Sequence, residues 1–362
     1  MGVDAAYEDF AARRYFDPLD AVRAISIVAV AWHHAHGGWP DVALSLRGFL
    51  GVDMFFVLSG FLIATLLLRE RDRSGGISLR RFYARRTLRI FPLYYAVVLG
   101  LGVLSVVRPG SSIAASVPAA LPYLLTYTSN WVNTATILSI AWSLATEEQF
   151  YLLWPPIEKW AARFAGPALL LALGINQLVN FGVLDVWLAE VWGPETLRLE
   201  VLDSTFTPIL LGIVLAHWMH ERASFGWVRR VAGFGWAPLL WAVLLLAACS
   251  WPVSDLSGLP RLGIQLAMVG WLASLVLHRG PALKAAAGWL PLRRLGVVSY
   301  GIYLLHMFAL HPAGLATDAW FGGSRAVRFV LCLLLAWGAA ELSFRWFESP
   351  ILKLKRRFAA VR

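Results

Sequence analysis

Charge is scarce in this chain. Charged residues make up only 15% of its 362 positions, against about 25% in an ordinary soluble domain. Cysteine is scarcer: Cys249 and Cys332 are the only two, and both sit inside apolar runs. Neither a disulfide framework nor a thiolate metal site is expected. No internal repeat is visible, and no polar interval is long enough to form a second domain. The missing repeat weakens a transporter reading, because many transporters are built from repeated halves.

Apolar mass fills the space. Hydrophobic residues reach 59%, Trp alone numbers 18, and the mean hydropathy is +0.63. A soluble fold could not hide that much apolar surface, so a Rossmann enzyme and a disordered chain are excluded. The expected fold is all-α: a polytopic membrane protein with about ten transmembrane helices around a polar central cavity. A crossing helix needs about 20 apolar residues. Runs near 18–36, 48–68, 90–107, 140–157, 167–188, 204–219, 233–250, 261–278, 295–313 and 325–346 fit that requirement. The stretch Val117–Trp131 is short and carries Pro118 and Pro122. It reads as a re-entrant or interfacial segment.

The net charge of +10 is explained by position. With the N-terminus in the cytoplasm, 24 of the 32 basic residues fall on the inner side, five on the outer side and three within spans. That asymmetry obeys the positive-inside rule and makes nucleic acid an unneeded partner. It places both termini in the cytoplasm; a multi-pass protein of a bacterial-type inner membrane is expected. Residues 1–17 are then a cytoplasmic lead, 18–347 a single membrane domain and 348–362 a basic cytoplasmic tail. Arg13-Arg14 stands behind an acidic lead-in, and no small-x-small site follows the run Ala24–Trp32. The first span is therefore expected to be uncleaved.

Ionisable groups inside such spans are costly and usually face an interior. The first span holds Asp20, Arg23 and His34. At about 100° per residue these three share one stripe, with Arg23 and His34 roughly 16 Å apart along the axis. Arg23 could instead snorkel to headgroups, and His34 could satisfy a packing hydrogen bond. The cluster His33-His34-His36 has no carboxylate or cysteine at ligand spacing, so no metal is expected. Asp53, near the start of the second span, could orient a histidine or cap a helix. Ser59-Gly60 offers a small surface for helix packing.

The loop 69–89 carries eight arginines against Glu70 and Asp72. If its end is helical, Arg85, Arg86 and Arg89 form one basic edge. Such an edge can bind phosphate or merely set topology. In the fourth span Ser143, Glu147 and Tyr151 recur every four residues and share a face. Glu147 could pair with an intramembrane arginine. In the ninth, Tyr303 and His306 lie on one side of a helix.

Five pieces of sequence, in order, resemble the membrane-bound acyltransferase 3 family. They are Arg23 with ten residues before His34; Gly51-Val-Asp53 followed by Phe-Phe-Val-Leu-Ser-Gly-Phe; Arg86-x-x-Arg89-Ile-x-Pro92-x-Tyr94; Trp142-Ser-Leu-x-x-Glu147-x-Gln149-Phe-Tyr151; and Ser299-Tyr-x-Ile-Tyr303-Leu-x-His306. The resemblance implies acyl transfer, usually of acetyl, from cytoplasmic acyl-CoA to a hydroxyl of a carbohydrate or related acceptor, with no permanently bound cofactor. It implies importance for Arg23, His34, Arg86 and Arg89. On that footing His34, Arg23 and Glu147 are the candidate catalytic residues, with His34 as general base. Arg85, Arg86, Arg89 and Arg23 are candidates to hold CoA. Asp53, Tyr94, Trp142, Gln149, Tyr151, Tyr303 and His306 are candidates to contact substrate. The chain runs only a short way past the tenth span, so the extra esterase-like domain of some members is expected to be absent. The alternative is a transporter using the same His, Glu and Arg as a proton relay.

Overall fold

The computed structural model describes residues 2–13, 15–35, 43–132, 136–184, 190, 206–252 and 256–354. His36 and most of the acidic stretch 190–203 lie outside them. Every regular element among the described residues is a helix. The chain forms two compact units. One comprises 1–72, 166–183 and 206–299, and the other 73–165, 184–205 and 300–362.

The first unit contains α1 (Val3–Ala12), α2 (Pro18–Ala35), α3 (Ala43–Leu46) and α4 (Leu50–Ser74). Apart from Asp53 in its first turn, the long α4 is apolar on all sides until its final charged stretch, and most of it is buried. It is therefore the axis of this unit. The second unit opens with α5 (Leu79–Val107), α6 (Ser112–Leu125) and α7 (Ala141–Trp160). The first unit resumes with α8 (Ala165–Asn180), α9 (Thr207–His220), α10 (Arg222–Ala232), α11 (Ala237–Ser250), α12 (Gly258–Leu277), α13 (Pro281–Gly288) and α14 (Leu290–Val297). The second closes with α15 (Ser299–Trp320), α16 (Arg325–Ser343), a π turn over Phe344–Glu348 and α17 (Ser349–Lys353).

Two glycines bring α4 and α9 together. A Cβ at Gly60 would overlap the Ile209 carbonyl, and one at Gly212 would overlap the Val57 carbonyl. The two backbones touch reciprocally, as small residues permit in apolar surroundings. A third such contact presses Gly296 of α14 onto the Asp20 carbonyl of α2. The N-terminal lead is not a loose segment. Phe10 of α1 stacks on Phe16 at 5.8 Å, and Arg69 lies over both rings. The Arg69 guanidinium also donates to the Phe10 and Arg13 carbonyls. In the second unit α6 folds back along α5. The Tyr94 and Tyr95 hydroxyls donate to the Leu124 and Leu125 carbonyls at 2.8 and 3.0 Å.

Each of the ten apolar runs is mainly helical among the described residues, but they are not equivalent. Among the described residues, five helices are long and apolar enough to cross a membrane, and up to seven if each of two bent pairs counts as one span. The bent pairs are α10 with α11, at 72°, and α14 with α15, at 81°. The remaining three runs depart for physical reasons. Helix α9 has only 14 residues. Helices α2 and α7 carry the charged side chains of the candidate site. Replacing Gly60 with Leu is expected to cost about 1–3 kcal/mol through overpacking. Thermal unfolding in detergent measures this, and an unchanged midpoint would contradict the backbone contact.

Candidate functional site

In the first unit the polar groups gather along α2. Arg23 donates to Asp20 at 2.7 Å, and Tyr15 also donates to Asp20. Asp20 is 4% exposed, so two donors compensate a carboxylate that has lost its water. The Tyr15 ring is exposed, but its hydroxyl points inward at Asp20. Burial of that end, with the nearby carboxylate, pushes its pKa up to about 12. Tyr15 thus stays a neutral donor at any physiological pH. Arg293 of α14 lies in electrostatic range of the same phenol.

Further along α2, His34 is half-buried, with its ring edge-on to His33 at 5.1 Å. Two glycines seat the next segment against this stretch. A Cβ at Gly48 would strike the Ala29 carbonyl, and one at Gly51 would strike the Ser26 carbonyl. The Trp32 indole donates to the Ser45 carbonyl at 3.1 Å. Beyond lies a buried ion pair. Asp53 receives Arg261 at 3.0 and 3.3 Å and Gln265 at 3.0 Å. Neither partner was anticipated, because Arg261 reads as loop charge in the sequence. The available signal was Arg261 and Gln265 spaced four apart on an apolar run. Arg47, which stands between two apolar runs in the sequence, is 7% exposed and donates to the Cys249 carbonyl at 2.8 Å.

In the second unit Arg86 of α5 lies over the Tyr151 ring at 4.1 Å, and Tyr151 donates to Glu147. The expected Ser143-Glu147-Tyr151 face is therefore formed. Its upper member, Ser143, shares a 2.7 Å hydrogen bond with Tyr303. Arg85 and Arg89 are half-buried on the same helix as Arg86. Gln149 and Asn130 pair their amides reciprocally at 2.8 and 3.2 Å. Gln149 also holds the Tyr127 carbonyl at 2.7 Å. His306 is fully buried, with Nδ1 at 2.6 Å from the Tyr303 carbonyl.

Several of the candidate substrate contacts thus have partners inside the protein. The Tyr94 and Tyr303 hydroxyls bind main-chain carbonyls, Gln149 braces the 127–130 segment, and Asp53 neutralises Arg261. Those side chains support the site's framework. Trp142 is half-buried in the first turn of α7. Arg23, His34, Arg85, Arg86, Arg89 and Glu147 keep partial exposure.

A family model described as an acyltransferase domain matches residues 17–340, which contain every residue named above as a site candidate. The chain belongs to that family. It is 30% identical to the peptidoglycan O-acetyltransferase OatA of Listeria monocytogenes, over 94% of this chain and 56% of that protein. It is 29% identical to the putative peptidoglycan O-acetyltransferase YrhL of Bacillus subtilis, over 93% and 55%. It is 27% identical to the O-acetyltransferase OatA of Staphylococcus aureus, over 94% and 58%. The chain spans little more than half the length of these relatives. No solved structure matches it.

Removing Arg261 strands a buried carboxylate, so Arg261→Ala is expected to destabilise by about 3–5 kcal/mol. Asp53→Asn combined with Arg261→Gln should recover most of the loss. Equal melting temperatures for wild type and Arg261→Ala would contradict the pairing.

Proposed function

We propose that this chain transfers an acetyl group from cytoplasmic acetyl-CoA to a hydroxyl of a cell-envelope carbohydrate, from within a bacterial inner membrane. The observation that carries the reading is the family match across 17–340. The names of the relatives supply the acceptor class: peptidoglycan, whose sugars carry free hydroxyls.

The residues support the roles as follows. Arg86 and Arg89, with Arg85, form a partly exposed basic edge suited to CoA phosphates, which guanidinium groups bind bidentately. Arg23, steadied by Asp20, is a further candidate to hold CoA. His34 is the general base: a neutral imidazole takes the proton of the acceptor hydroxyl. The oxygen attacks the thioester carbonyl, the C–S bond breaks, and the CoA thiolate leaves with the proton returned by the imidazolium. Glu147, its carboxylate held by Tyr151, binds the acceptor.

His34→Ala should lower labelled acetyl transfer by at least about 100-fold while leaving acetyl-CoA affinity close to wild type. Near-normal turnover would remove His34 from the chemistry. The double variant Arg86→Ala, Arg89→Ala should weaken acetyl-CoA binding by about tenfold or more. Unchanged affinity would return the pair to a topological role.

A further inference from the structure

The turn after α6 has a residue where its geometry does not favour one. The helix ends at Leu125 with Thr126 as its cap. The Thr128 amide then donates to the Tyr123 carbonyl at 2.9 Å, and the Tyr127 amide to the Leu124 carbonyl at 3.4 Å. That pattern places Tyr127 at the left-handed position usually taken by glycine. Its φ is +54°, and it is the only non-glycine residue with positive φ among the described residues. A bulky side chain there carries a conformational cost, and such outliers concentrate at functional sites.

Packing explains the ring but not the hydroxyl. Tyr127 stacks on Tyr94 at 4.4 Å and on Phe91 at 5.5 Å. Phenylalanine would stack equally well. The Tyr127 hydroxyl is nonetheless buried without a protein partner, and two more polar atoms share that state: Ser129 Oγ, two residues further along the same turn, and Glu148 Oε1, whose carboxylate interacts electrostatically with Tyr127. Tyr127 and Ser129 are 7% and 1% exposed. Glu148 lies in electrostatic range of Tyr127, Tyr94, Tyr95, Tyr300 and Arg86. All of these belong to the second unit. Buried polar atoms almost always have partners. Three without one, around a turn held rigid by the Gln149–Asn130 amide pair, describe a site awaiting a hydrogen-bonding ligand.

We infer that Tyr127, Ser129 and Glu148 form a subsite for an uncharged, hydroxyl-bearing part of a substrate. A ligand hydroxyl donates to the Glu148 carboxylate and accepts from the tyrosine or serine hydroxyl, the complement these three groups require. Two substrates of the proposed reaction carry such groups, the pantetheine arm of acetyl-CoA and the sugar acceptor. The naming of the ligand, though not the existence of the subsite, rests on the acetyl-transfer reading.

The test compares purified full-length wild type, Tyr127→Phe and Ser129→Ala, melted alone and titrated with acetyl-CoA or a β-1,4-linked N-acetylhexosamine oligosaccharide. Without ligand each variant should melt at or above the wild-type temperature, since each loses an unpartnered buried group. With one probe, Tyr127→Phe should show an apparent Kd raised about tenfold, and the affected probe identifies the source. Wild-type affinity for both probes, or a lower ligand-free melting temperature in both variants, overturns the subsite. A wild-type protein that binds neither probe overturns the acetyl-transfer reading and, with it, the ligand named here.

Discussion

A charge taken out of water persists only where a partner compensates it, and in an apolar helix few partners are available. That constraint organises both units. Asp20 is buried because Tyr15 and Arg23 donate to it. Asp53 is buried because Arg261 and Gln265 close around it. Glu147 takes the Tyr151 hydroxyl, while Arg86 rests on the same ring. The apolar mass that drives helix formation is thus fastened at a few polar points, and those points hold the residues to which chemistry is assigned.

Close backbone approach is what makes the fastening possible. Gly60 with Gly212 and Gly296 on Asp20 remove the side chains that would hold helices apart. Gly48 does the same against Ala29 and His33, and Gly51 against Ser26 and Val30. Small residues therefore fix the distance at which short polar side chains can meet, and rigidity of that kind keeps a reactive group in register.

Much of this was legible in the sequence. Apolar runs located the helices, because burial in lipid demands unbroken hydrophobicity. The i, i+4 spacing of Ser143, Glu147 and Tyr151 placed them on one face, and the three-residue step from Asp20 to Arg23 allowed their pairing. The illegible parts depend on tertiary contact. Arg47 and Arg261 resemble loop charges until their buried partners are known. The expected substrate contacts Tyr94, Gln149 and Tyr303 turn out to have main-chain partners, which no spacing rule predicts. The left-handed turn at Tyr127 is hidden as well, since the usual signal for it is a glycine. Span counting is limited by the site itself. Helices α2 and α7 carry charges, and those charges dilute the apolarity by which spans are recognised.

The account turns on a CoA thioester as donor, and equilibrium binding examines that most directly. Isothermal calorimetry of acetyl-CoA into the purified protein should give saturable binding at one site per chain, weakened when the nucleotide phosphates are absent from the ligand. Heats no larger than those of dilution, together with proton-driven solute flux in reconstituted vesicles, would contradict it and favour a transporter.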